Sequence, residues 1–201
     1  MELNGSTIAF LRQKLLAYTD FTAGQLNEIV RHFEFCIYRK NEYLLKEGEI
    51  CDFWGFIQDG LVRSYSLKDD GEEHTIGCIL EGSFISESLS FIKRIPSTAN
   101  IHALEDTTLI FISFEKLQQL FLKYPDFESF ARKLYEDRLA SIKSRLLFRI
   151  QLNATDRYCY LLKIQPEIIK RVPLKYIASY LGITDSTLSR IRRKLSRMKP
   201  D

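Results

Sequence analysis

Near the C-terminus, residues 172–199 have the sequence VPLKYIASYLGITDSTLSRIRRKLSRMK. The first half has one apolar helical face, formed by Leu174, Ile177, Ala178 and Leu181. Gly182 follows at the position where a left-handed residue ends many helices, and Thr184 is a good N-cap for a second helix. Two short helices joined by a tight glycine turn predict a helix-turn-helix.

The outer face of the second predicted helix, residues 184–197, is polar and basic. Six Lys or Arg residues lie between positions 190 and 199. An ordinary helical hairpin, the alternative interpretation, does not explain this concentration of positive charge. In a major groove, base edges would be read by Ser186, Ser189 and Arg190. Phosphates would be contacted by Thr184, Thr187, Arg192, Arg193 and Lys194. Asp185 caps the helix or accepts a hydrogen bond from cytosine, and capping is the preferred interpretation.

Upstream, residues 34–113 have the pattern of a small β-protein, preceded by two short helices within residues 6–33. Turns that contain glycine separate the predicted strands, and Asp70-Gly71 is the strongest hairpin signal. The strands are predicted at Glu34–Tyr38, Tyr43–Leu45, Phe53–Ile57, Leu61–Leu67, His74–Leu80, Asn100–Leu104 and Thr108–Ile112. Short strands at this spacing predict an antiparallel barrel or jelly roll.

Helical periodicity returns at Phe114, first over residues 114–123 and then over residues 126–152. The second helix would be nearly 40 Å long, at ~1.5 Å per residue. Its apolar positions include Phe127, Phe130, Leu134, Ile142, Leu146 and Ile150. Such a stripe predicts pairing with a second copy of the chain, with packing against its own barrel as the alternative.

These elements predict an α+β fold. An N-terminal part, residues 1–125, contains the helices and the antiparallel β-barrel, and residues 126–152 form the long dimerisation helix. Residues 153–201 form a helical helix-turn-helix domain. Segment 165–171 is short and the sequence ends at Asp201, so we expect neither a preceding hairpin nor a clear wing.

Composition limits the classes of protein to which this sequence can belong. The 201 residues are 45% hydrophobic, without an apolar run near the ~20 residues of a membrane span or a secretory signal. The four scattered cysteines predict free thiols in a cytoplasmic protein with no metal and no cofactor. Common enzyme motifs are missing, so we expect a non-enzyme. Residues 152–201 carry a charge of +7 and the remainder −4, which favours an anionic partner for the basic end.

The order of helices, barrel, long helix and helix-turn-helix resembles the Crp/Fnr family of bacterial transcription regulators. The resemblance is carried by residues 46–49, 54–62, 81–85 and 177–190. It implies a cyclic-nucleotide-binding-like barrel and a homodimer that binds a palindromic double-stranded DNA operator. Half-sites would lie about one turn, ~34 Å, apart. It also implies RNA polymerase as a candidate partner, and no membrane.

The sequence departs from that family where cyclic nucleotides bind. Nucleotide-binding members have a Gly-Glu pair for the ribose and an Arg for the cyclic phosphate. Here Glu87 is present, Ser86 replaces the glycine, and Ser97, followed by Thr98, stands at the arginine position. A cyclic phosphate would lose its main charged partner. Glu87, Ser97 and Thr98 remain candidates for a pocket that binds another effector; a hydrogen-bonded loop is the alternative.

The sequence therefore predicts a sequence-specific, homodimeric regulator that does not respond to cAMP and whose effector is unspecified. Two alternatives stay open. One is a sensor of a cyclic or other nucleotide with a rearranged phosphate-binding segment. The other is a protein-interaction dimer whose basic helices bind acidic partners.

Overall fold

A computed structural model describes residues 4–198, and their strands form two four-stranded antiparallel sheets. The strands are β1 (Glu34–Tyr38), β2 (Tyr43–Leu45), β3 (Trp54–Asp59), β4 (Leu61–Leu67), β5 (Glu73–Leu80), β6 (Phe84–Ile85), β7 (Asn100–Ala103) and β8 (Thr107–Ile112). One sheet has the order β1-β8-β3-β6 and the other β2-β7-β4-β5. The α+β fold and its antiparallel barrel are thereby confirmed.

Two helices precede the barrel strands in the chain, one lies between β6 and β7, and six helices follow β8 within residues 4–198. In chain order these helices are α1 (Gly5–Leu16), α2 (Ala23–Arg31), α3 (Ser88–Lys93), α4 (Phe114–Lys123), α5 (Pro125–Gln151), α6 (Ala154–Ile164), α7 (Pro166–Arg171), α8 (Leu174–Leu181) and α9 (Asp185–Met198). In the described range, residues 4–198, no helix is both long and apolar enough to cross a bilayer.

The predicted strands agree with the observed ones to within two residues at each end, and the predicted hairpin at Gly71 is present with φ +83°. Three observed elements were not predicted: β6, α3 and α7, which covers six residues of the short segment 165–171. β6 has only two residues and exists through its pairing with Gly55 and Phe56 of β3. α3 has six residues, and its N-cap is Glu87, whose side chain accepts a hydrogen bond from the Ser90 N–H. Both β6 and α3 depend on contacts that local periodicity does not encode.

Aromatic side chains pack between the barrel and the long helix. Trp54 is fully buried, and its ring makes edge contacts with the rings of Phe56, Phe84, Phe127 and Phe130, at centroid distances of 5.1–6.2 Å. Two of these partners come from strands and two from α5. The beginning of the long helix therefore shares one hydrophobic cluster with β3 and β6, where aromatic pairs stabilise each other beyond their buried area.

The long helix is divided into two halves by its packing. Phe127, Phe130 and Leu134 are buried against the barrel. They cannot face a second copy, so the prediction that they belong to the dimer interface is wrong. The first half of α5 therefore follows the alternative prediction, in which the helix packs against its own barrel. In the second half, the apolar residues remain exposed in the single chain; they are Leu139, Ile142, Leu146, Leu147 and Ile150.

Candidate DNA-binding surface and its attachment to the barrel

The turn of the helix-turn-helix depends on Gly182. α8 ends there with φ +67° and ψ +40°, a left-handed conformation that glycine adopts without the steric cost a side chain would add. The N–H of Gly182 donates to the Ser179 carbonyl and the N–H of Ile183 to the Ala178 carbonyl, both at 3.0 Å. A Cβ added at this position would lie 3.0 Å from Nη2 of Arg149. The predicted glycine turn is therefore present.

The second helix, α9, begins with the predicted cap. Thr184 Oγ1 accepts a hydrogen bond from the Thr187 N–H at 3.2 Å. Asp185 stands in the first turn, where the helix dipole favours a negative charge. Leu188 and Ile191 are buried against α8 and its neighbours. These two anchors fix which face of α9 points to solvent.

The outward face of α9 gathers the predicted DNA-contacting residues on one surface. Thr187 is half-buried, and the exposed members are Thr184, Asp185, Ser186, Ser189, Arg190, Arg192, Arg193 and Lys194. Arg190 Nη2 donates to Thr187 Oγ1 at 3.2 Å. Among residues 4–198, no carboxylate lies within ion-pair distance of the four basic side chains. Their positive charge is therefore available to an external anion.

The helix-turn-helix is attached to the barrel at the edge strand β5. The Ser179 hydroxyl on α8 accepts from the Thr75 N–H at 2.9 Å and donates to the Glu73 carbonyl at 3.0 Å. An edge strand leaves such backbone groups unpaired, so one serine satisfies two of them. Sequence reasoning gave Ser179 no role, because neither its partner nor the strand order is visible in the sequence.

Beneath this contact lies a buried arginine, Arg63 of β4. Its guanidinium carbon is 3.7 Å from the ring centroid of Tyr176 on α8 and 4.4 Å from that of Tyr65. Nε donates to Thr75 Oγ1 at 2.9 Å, and Nη1 forms an ion pair with Glu73. Burial and this guanidinium lower the pKa of the neighbouring His102. The only sequence signal was one arginine within the alternating strand 61–67.

A second ionic contact ties α7 to two turns of the barrel. Arg171 Nη1 donates to both carboxylate oxygens of Glu81, at 2.8 and 3.0 Å. Its Nε and Nη2 donate to Glu105 at 3.1 and 2.6 Å. These hydrogen bonds to Glu105 and Glu81 raise the pKa of Arg171, and the pKa of Glu81 is lowered in turn. The fork geometry of arginine allows one side chain to hold two carboxylates.

Two of the three predicted effector-pocket residues use their polar groups within their own loops. Glu87 Oε2 accepts from the Ser90 N–H at 2.6 Å. The Ser97 hydroxyl donates to the Ala99 carbonyl at 2.7 Å and accepts from the Ala99 N–H at 3.1 Å. Thr98 is exposed. This geometry agrees with the hydrogen-bonded loop that was the alternative interpretation, and the effector role stays a prediction.

The barrel is similar to a described protein family. A family model described as "Cyclic nucleotide-binding domain" matches residues 36–124. The transcriptional activator protein Anr of Pseudomonas protegens is 24% identical over 164 residues, which cover 76% of this chain and 66% of Anr. The anaerobic regulatory protein of Pasteurella multocida is 25% identical over 171 residues, covering 80% of this chain and 62% of that protein. The chain thus spans just under two thirds of these relatives.

Solved structures share the fold over most of the chain. The c-di-GMP responsive global regulator CLP of Xanthomonas campestris superposes with a TM-score of 0.68 at 23% identity, covering 88% of this chain and 92% of CLP. FixK2 from Bradyrhizobium japonicum gives a TM-score of 0.66 at 22% identity, covering 82% and 85%. The sequence relatives and the shared fold together confirm the resemblance drawn from the motifs.

Proposed function

This chain resembles the Crp/Fnr transcription regulators in sequence and in fold, and we propose that it is itself a homodimeric, sequence-specific DNA-binding regulator. The observation that carries the proposal is the outward face of α9, where Arg190, Arg192, Arg193 and Lys194 are exposed and form no ion pair with any other residue in the range 4–198. A helix presented in this way by a helix-turn-helix fits the major groove. Unneutralised cations supply the affinity for phosphate.

Dimerisation is supported by the second half of α5. Leu139, Ile142, Leu146 and Ile150 are 67%, 44%, 57% and 72% exposed in the single chain. Their spacings of three, four and four residues keep them on one side of the helix, as in a coiled-coil seam. A two-fold pair of these helices would present two α9 helices, and a two-fold protein binds a palindromic site.

Selection from a pool of random duplexes tests the function. We expect enrichment of an inverted repeat whose half-sites are about one helical turn apart, ~34 Å. A chain in which Arg190, Arg192, Arg193 and Lys194 are all alanine serves as the matched control and should enrich nothing. If the unaltered chain enriches no palindrome while still binding acidic proteins, the protein-interaction alternative is correct instead.

Arg190→Ala tests which side chain reads bases. We expect a loss of about 1–3 kcal/mol on the selected operator and relaxed preference at one base position, because a bidentate contact of arginine to guanine is lost. Arg192→Ala is the comparison, since a phosphate contact weakens all sequences alike and reduces the salt slope. Both are measured by fluorescence anisotropy on the operator and on single-base variants. An equal loss on every sequence would assign Arg190 to phosphate.

We propose further that cAMP and cGMP are not effectors. Glu87 and Ser97 are engaged in local hydrogen bonds, and no arginine stands at the position where nucleotide-binding relatives hold the cyclic phosphate. At saturating cAMP or cGMP we expect no rise in melting temperature, because a ligand that binds only the folded state would raise it. A clear rise with either nucleotide would support the nucleotide-sensor alternative.

A further inference from the structure

A cavity of about 210 Å³ lies where the barrel, the long helix and the helix-turn-helix domain meet. Its walls are formed by Ile76 of β5, Ile164 of α6 and Tyr180 of α8, and by Ile142 and Leu146 of α5, through which the cavity borders the proposed dimer seam. The lining is predominantly apolar. Residues of β5, α5, α6 and α8 therefore contribute to this one cavity.

Within residues 4–198, the charged groups that line the cavity are all cationic, and two tyrosines, Tyr160 and Tyr180, add neutral hydroxyls. Arg145 and Arg149 line it from α5 and Arg157 from α6, and no Asp or Glu is among the lining residues. Nε of Arg145 and Nε of Arg157 are buried and have no hydrogen-bond partner among the described residues. Arg157 uses only Nη1 in the structure, donating to the Leu152 carbonyl at 3.0 Å and the Arg149 carbonyl at 3.3 Å. A buried donor without an acceptor is costly.

The neighbourhood strengthens this positive potential. Arg138 lies about two helical turns before Arg145 on α5. Burial, together with the charge of Arg145, lowers the pKa of Arg138. No ion pair joins Arg138, Arg145 or Arg149 to a carboxylate within residues 4–198. The site thus combines an apolar body with guanidinium groups that lack counter-ions.

We propose that this cavity binds a small apolar monocarboxylic acid. The carboxylate accepts hydrogen bonds from the unpaired guanidinium nitrogens, whose planar forks match its geometry. The hydrocarbon part packs on the isoleucine, leucine and tyrosine side chains. A volume of about 210 Å³ is below the ~300–1,000 Å³ of pockets for drug-sized ligands, so the occupant is small.

The consequence for DNA binding rests on the proposed function, whereas ligand binding does not. A ligand that touches β5, α5, α6 and α8 together favours the arrangement in which these elements lie as they do here. It would therefore set the position of α9 relative to the dimer helix. The ligand changes operator affinity only to the extent that it binds one arrangement more tightly than another.

Octanoate is the probe, with octan-1-ol and octylamine as neutral and cationic compounds of the same chain length. Isothermal titration and thermal shift on the full chain should detect binding of octanoate and little or none of the other two. Arg145→Met keeps the side chain long but removes the charge, and we expect about tenfold or greater loss of octanoate affinity. Arg132→Met, on an exposed part of the same helix, is the matched control and should bind normally.

Ile164→Trp fills the cavity and provides a second, independent loss of octanoate binding with the guanidinium groups intact. Equal binding of octanoate and octan-1-ol, unchanged affinity in Arg145→Met, or no binding of octanoate by the unaltered chain would each overturn the proposal. Arg190→Ala should bind octanoate like the unaltered chain. Octanoate binding without operator enrichment would refute the regulator alone, and operator enrichment without octanoate binding would refute this site alone.

Discussion

A chain that carries Leu139→Glu and Ile150→Glu is expected to be monomeric and to bind its operator about a thousandfold more weakly, or worse. Both leucine and isoleucine are mostly exposed in the single chain, so the folded monomer tolerates glutamate at these positions. Across a two-fold pair of α5 helices, however, the added carboxylates would be buried near like charges. The affinity of a monomer for one half-site then falls towards the affinity for non-specific DNA, which is typically 10³-fold or more weaker than specific binding.

Sedimentation equilibrium gives the mass, and anisotropy gives the operator affinity at the same protein concentration. Leu122→Glu is the matched control, since Leu122 lies on α4 and is 89% exposed. That chain should remain dimeric and keep its affinity. A dimeric Leu139→Glu/Ile150→Glu chain would show that the second half of α5 is not the interface.

Glu73→Ala is expected to cost about 3 kcal/mol of folding free energy. The ion pair between Arg63 and Glu73 has one side chain that is 1% exposed and another that is 41% exposed. Removing the glutamate leaves a buried guanidinium without a counter-ion, and breaking buried pairs in this way costs roughly 3–5 kcal/mol. The lower end applies because water reaches the glutamate side of the pair. Urea unfolding measures the difference.

Glu72→Ala is the control, because the adjacent carboxylate pairs with Lys68 in solvent and surface pairs contribute little. The double variant Arg63→Met/Glu73→Ala should recover most of the lost stability, since a buried apolar side chain needs no counter-ion. Additive losses in the double variant would show that Arg63 stabilises the protein through its stacking between Tyr65 and Tyr176 more than through its charge.

Local sequence signals predicted most of the secondary structure and the orientation of the basic helix. Gly182 indicated the turn between α8 and α9, and the apolar spacing of Leu188 and Ile191 indicated which face of α9 is exposed. These features depend on residues a few positions apart, so periodicity and capping rules capture them.

Contacts between distant segments were the part that the sequence did not predict. The apolar stripe of α5 is continuous, yet Phe130 packs on the barrel while Ile150 is exposed. Arg63 and Ser179 acquire their roles from neighbours on other elements, and the cavity beside Arg145 exists only because β5, α5, α6 and α8 meet. Such features follow from strand order and helix placement, which a single sequence leaves undetermined.

The contact of Arg171 with Glu81 and Glu105 changes how a salt titration of operator binding should be interpreted. Added salt displaces counter-ions from phosphate contacts, and it also screens this partly exposed ion triplet, which holds α7 against the barrel. The slope of log affinity against log salt therefore reports two processes. In an Arg171→Gln chain the ion triplet is absent, so salt acts on the phosphate contacts alone. The salt slope of that chain would therefore give the number of phosphates that the protein neutralises.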